Sequence, residues 1–247
     1  MKTSTVLIAA VVSCFGPIPH GAAAAVGNPV RLLFDLAHGE SPPPGPMEAV
    51  AGKLGIEIRT TSRPLESGTL ADARILYLRA PSKAFSAAET QAVVAFVKGG
   101  GSLLLVLDEE RRQSLEGTGV NRLIEPFGIR LTPDTEYLHN CGGIAKAGEI
   151  HPADRELPFS GGRAVEGGTP FAFQLDKDGK PARPFGAYRR LDNGARIVVL
   201  GEGMASLFLG VPEGKRLTGV PNDPTRTTYW GKDSAVFMEE LLRWLSR

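Results

Sequence analysis

The run Ser86-Ala87-Ala88-Glu89, continued by Val93-Val94-Ala95-Phe96-Val97-Lys98-Gly99-Gly100-Gly101 and Ser102-Leu103-Leu104-Leu105-Val106, decides how the rest of the chain is read. Ser86 and Glu89 form an S-x-x-E capping box, and Val93, Phe96 and Val97 repeat at i, i+3, i+4, so the spacing predicts a helix that the glycines stop. The wholly apolar stretch after them predicts a strand covered on both faces, as in a parallel sheet.

Outward from this unit the same alternation recurs. Val30 to Phe34 predicts an opening strand and ends in Asp35, His38 and Glu40. Met47 to Leu54 reads as a helix, and Ile56 to Thr60 and Arg74 to Leu78 as further strands. Asn121 to Phe127 reads as a short helix before a strand near Ile129 to Leu131. Thr132 to Pro184, rich in Gly and Pro, is expected to build strands and loops over the sheet's edge. Phe185 to Leu191 and Ala195 to Leu200 flank Asp192-Asn193-Gly194, a hairpin signal because Asn-Gly tolerates the positive φ of a type I′ turn. Phe237, Leu241, Trp244 and Leu245 mark one buried side of a closing helix over about Ser234 to Ser246. The fold class expected is α/β, a flavodoxin-like three-layer sandwich with a mostly parallel central sheet and a C-terminal β-hairpin plus helix.

Lys2, the apolar Val6 to Phe15 and the small-residue run Ala22 to Ala25 read as a signal peptide over residues 1–25, leaving 26–247 as one domain in the periplasm or secreted. Val11-Val12-Ser13-Cys14 offers a second reading, a lipobox that would anchor a lipoprotein at Cys14. The chain holds 28 Lys and Arg against 27 Asp and Glu, so loss of Lys2 leaves no net charge. Nothing in that balance suggests binding to nucleic acid or an anionic membrane surface, and no later segment has the apolar length of a membrane span. Of the 2 cysteines only Cys141 lies beyond the leader, so no internal disulfide is expected.

Ile75-Leu76-Tyr77-Leu78, Phe85 to Glu89 and Val94 to Val106 together resemble the class I glutamine-amidotransferase-like superfamily. Phe34-Asp35-x-x-His38-Gly39-Glu40, Gly194 to Glu202 and the final Arg243-Trp244-Leu245 are similar to its noncatalytic branch, which includes GIFT-type domains of gliding and intraflagellar-transport proteins and related bacterial domains. In the catalytic members a G-x-C-x-G elbow follows the strand after the glycine turn. Here Val106-Leu107-Asp108-Glu109-Glu110 stands in its place, without cysteine, serine or flanking glycine.

The candidate ligand-binding residues are therefore Asp35, His38, Glu40, Asp108 and Glu109, at the carboxyl edge where open α/β sheets bind ligands. Asp35 and His38 fit a proton-transfer pair, two metal ligands or a ligand contact as well as a turn cap and a loop hydrogen bond. His139, Cys141 and His151 are the material of a Cys-His pair, yet His139 and Cys141 would face opposite ways in an extended segment. Gly201-Glu202-Gly203 lacks the third glycine of a dinucleotide fingerprint. The functional expectation is an exported noncatalytic binding module of the bacterial envelope, with a carbohydrate, a peptide or an envelope protein as partner and no cofactor. The alternative is a hydrolase using carboxylate and histidine chemistry, with or without a metal.

Overall fold

The computed structural model describes residues 29–135, 142–159, 161–203 and 233–247. The stretch read above as a leader, residues 1–25, and His139 and Cys141 lie outside them. Strands β1 (Val30–Asp35), β2 (Ile56–Thr61), β3 (Ile75–Arg79) and β4 (Ser102–Val106) alternate with helices α1 (Gly45–Lys53), α2 (Ser67–Leu70) and α3 (Ala87–Lys98). Helices α4 (Leu115–Thr118) and α5 (Asn121–Ile124) and a single 3-10 turn, Glu125–Phe127, lead into the second half. There follow β5 (Ile129–Asp134), β6 (Gly143–Ala145), β7 (Arg155–Leu157), β8 (Arg163–Gly167), β9 (Thr169–Leu175), β10 (Pro181–Arg190), β11 (Arg196–Leu200) and a final helix, α6 (Ser234–Leu245).

The main sheet runs β2-β1-β3-β4-β11-β10-β9-β6-β7. Its first five strands are parallel neighbours, which explains their apolar composition: both faces are covered. Alternate residues divide between the two faces. Phe34, Tyr77, Leu104 and Val198 pack on Val50 of α1 and on Phe237 and Leu241 of α6. Leu33, Leu76, Leu103 and Val199 pack on Val93 and Val97 of α3 and on Leu123 of α5. The flavodoxin-like, three-layer α/β architecture with a closing hairpin and helix is thus what the chain forms.

Two details differ from the expectation. The stretch after Thr132 does not merely lie over an edge, because β6, β7 and β9 prolong the main sheet in antiparallel order while β5 and β8 pair as a separate ribbon. The β10–β11 turn is not type I′. Gly194 has φ 85 but Asn193 has no positive φ, so a three-residue loop closes between Leu191 and Ala195 through a single left-handed glycine. Asn193 instead donates its amide to the carbonyls of Val97 and Lys98, capping the end of α3.

At the start of α3 the capping box is complete. Ser86 Oγ accepts from the Glu89 N–H at 3.2 Å, and Glu89 Oε2 accepts from the Ser86 N–H at 3.0 Å. Ser86→Ala is expected to lower stability by about 1–2 kcal/mol in urea denaturation. An unchanged midpoint would show that Glu89 is held without its cap.

Candidate functional site

The parallel strands deliver their loops to one edge, and two groups of polar side chains form there. The first grows from the end of β1. Asp35 is fully buried; its Oδ1 accepts from the Ala37 N–H at 2.9 Å, turning the chain at once, and its Oδ2 lies 2.6 Å from His38 Nδ1. The other imidazole nitrogen, Nε2, lies 3.2 Å from Glu89 Oε1, and the ring stacks on Phe85 with centroids 3.9 Å apart. The N–H groups of Ser82 and Lys83 donate to the His38 carbonyl, at 2.8 and 3.0 Å. His38 therefore joins the loop after β1 to the loop after β3 and to the first turn of α3.

Electrostatics follow from this enclosure. Burial acts to lower the His38 pKa, but the hydrogen bond and charge of Asp35, with Glu89 behind, outweigh it and raise it above the ordinary value. Glu89 is held below the usual carboxylate range: burial opposes this, and Ser86, the Leu65 N–H and His38 overcome it. Glu40 goes the other way. Burial, then the charge of Asp35, push its carboxyl up to about 9, although the His38 N–H donates to its Oε2 at 3.0 Å. Its Oε1 is buried without a hydrogen-bond partner.

The second group follows the end of β4. The Asp108 N–H donates to Gln113 Oε1 at 3.0 Å, and Asp108 Oδ1 accepts from the Glu109 N–H at 2.9 Å. Burial raises the Asp108 pKa against that hydrogen bond and the charge of Arg112. Glu109 pairs with Arg111 and lies 3.7 Å from Arg112. A cavity of about 260 Å³ is lined by Gly39, Ser41, Arg79, Ser82, Asp108 and Arg112, among others. Of the five candidate residues only Asp108 lines it, while Asp35, His38 and Glu40 make a buried cluster of their own. A larger hollow of about 390 Å³ beside β2 is lined by Arg31, Arg59 and Asp72, among others. Arg31 and Arg59 are already paired there with Glu57, and Arg31 also with Asp72.

Three further residues organise this edge and were not singled out from the sequence. Glu89 was legible only as a cap. Arg79 ends β3, donates to the carbonyls of Ser41 and Pro42 at 3.1 and 3.2 Å, and sits 5.6 Å over the Phe34 ring. Arg163, fully buried, donates from Nε to the Asp108 carbonyl at 2.6 Å, and from Nη2 to the Gln113 carbonyl at 2.6 Å and to Glu110 at 2.9 Å. It reaches them because Gly162 and Gly201 let two backbones touch: a Cβ on Gly162 would lie 2.2 Å from the Gly201 carbonyl. His151 is buried elsewhere, against Phe237, with Nδ1 2.8 Å from Glu240; burial lowers its pKa despite that carboxylate.

A family model for the IFT52 GIFT domain matches residues 50–138. The solved mmIFT52 N-terminal domain superimposes with a TM-score of 0.54 at 18% identity, over 70% of this chain and 86% of that one. A putative GMP synthase component from Thermoplasma acidophilum aligns with a TM-score of 0.49 at 10% identity, over 88% of this chain and 95% of the other. A search of the curated proteins gave no match. The match to IFT52 overturns the expectation of an exported module of the bacterial envelope, and with it the signal-peptide, periplasmic, secreted and lipoprotein readings. It overturns the hydrolase alternative too, and the geometry supplies a reason: both imidazole nitrogens of His38 are engaged by carboxylates. Carbohydrate and envelope partners have no support. No helix among the described residues is long and apolar enough to cross a membrane. Over residues 50–138, and in the fold that carries them, the chain is GIFT-like.

Proposed function

We propose that residues 26–247 act as one GIFT-type domain, a noncatalytic module that binds other proteins within a multi-subunit assembly of the intraflagellar-transport kind. The observation that carries this reading is the elbow position. Where an amidotransferase needs an exposed nucleophile on a strained turn, Asp108 has its N–H bound by Gln113 and its carbonyl bound by Arg163. A loop tied down in this way is framework. Asp35 and His38 serve the same end, fastening the loops that shape the surface, while Asp108 lines the cavity beside Arg112 and Glu109 pairs with Arg111.

Purified protein should release no ammonia from glutamine, and partners trapped by site-specific photo-crosslinking in cells should re-form a stoichiometric complex from purified components. Ammonia release that Asp108→Asn removes would overturn the reading.

A further inference from the structure

We propose that Asp35, His38 and Glu40 form a structural site for one divalent first-row transition ion, of the zinc or manganese kind. Each residue offers one ligand atom, and these atoms lie within 4.8 Å of one another with all three residues buried. With an ion in place of the protons they hold, two carboxylates and a neutral imidazole carry two negative charges, matching such an ion, and a mixed oxygen and nitrogen donor set suits this class.

Two independent observations point to a ligand. Glu40 is only 8% exposed and no N–H of the protein donates to its Oε1, an arrangement that costs free energy for an ionised carboxylate unless a proton or a cation sits there. Glu89 Oε1 lies 3.2 Å from His38 Nε2, so once an ion displaces the proton that Nδ1 shares with Asp35, Glu89 can hold the remaining N–H and leave Nδ1 free to ligate. A carboxylate behind the far nitrogen of a ligating histidine is the usual support of a metal-bound imidazole. Glu89 is itself fixed, by Ser86 and by the Leu65 N–H. Gly39 and Ser41, on either side of Glu40, line the cavity at the sheet edge. The ion would replace the Asp35–His38 hydrogen bond as the link across the loop after β1.

The test uses the full-length protein stripped with chelator and dialysed against Zn²⁺, Mn²⁺ or Co²⁺ alone. One ion per chain is expected, with visible Co²⁺ bands of a low-symmetry site bearing an imidazole ligand. Glu40→Gln, which keeps the shape of the side chain, should weaken binding at least tenfold, and Glu89→Gln by about tenfold through loss of support behind the ring. Asp108→Asn should leave binding unchanged. His38→Ala should abolish the Co²⁺ bands; if that variant does not fold, the two glutamine variants decide. Failure of the wild-type chain to retain any of the three ions at micromolar concentration, or equal affinity in Glu40→Gln, overturns the proposal.

Discussion

Arg163→Met is expected to destabilise the protein by about 3–5 kcal/mol, the range for removing one partner from a buried, hydrogen-bonded charge network. Methionine keeps the apolar stem and leaves the space of the guanidinium empty. What is lost is the donor set: the Asp108 and Gln113 carbonyls lose their guanidinium partner, as does the Glu110 carboxylate. Water does not reach a fully buried position without opening the loop between β4 and α4. Urea denaturation of both proteins measures the effect. Arg163→Lys should fall between them, because an ammonium keeps the charge but lacks the planar fork that serves several acceptors at once. A loss below about 1 kcal/mol for the methionine variant would show that the loop rearranges to satisfy its own carbonyls.

Glu40→Gln is expected to raise the stability of the metal-free protein at pH 7, on the order of 2–3 kcal/mol. In the unfolded chain Glu40 ionises near its ordinary 4.5, whereas the folded protein holds the proton up to about 9. Between those values the folded state binds more protons than the unfolded one, so stability falls as pH rises. Glutamine has no proton to lose. Its amide oxygen can accept from the His38 N–H, as Glu40 Oε2 does at 3.0 Å, and its NH₂ can donate to Asp35. The gain should vanish near pH 4, where the glutamate is neutral in both states. Neighbouring groups set the background. Glu89 contributes stability present above its unfolded pKa and lost as pH falls through the lower folded value; His38 contributes stability present below its unfolded pKa and lost as pH rises through the raised one. Thermal melts of both proteins in chelator, at pH 4, 7 and 9, separate Glu40 from that background. A variant less stable than wild type at pH 7 would show that Glu40 is ionised and stabilised in the fold.

The parallel half of the sheet was legible because its signals are local. The capping box at Ser86, the glycines after Lys98 and the apolar run to Val106 each act within a few residues, and each forms as read. The edge residues Asp35, His38 and Glu40 could be placed from the strand that delivers them. Their relation to Glu89 could not, since it depends on α3 folding back beside the loop after β1, and the capping role of Glu89 concealed its second contact. Arg163 was hidden for another reason. It lies in a stretch where short strands β5 to β8 take their pairing from distant partners, so neither periodicity nor propensity marks it. The split between Asp108 and the Asp35 group was equally out of reach, because it is set by which side of each loop faces the cavity.

The place of β11 carries a consequence for synthesis of the chain. β4 lies in the middle of the sheet, yet its second neighbour is β11, whose residues leave the ribosome only after the whole run of β5 to β10. At translation rates of about 5–20 residues per second, Leu103, Leu104 and Leu105 therefore wait several seconds with one backbone edge bare. An apolar strand with an open edge is a template for pairing with another chain. Nascent protein stalled between β4 and β11 should be the species that chaperones hold and that aggregates when they are depleted, whereas chains released past Leu200 should not be.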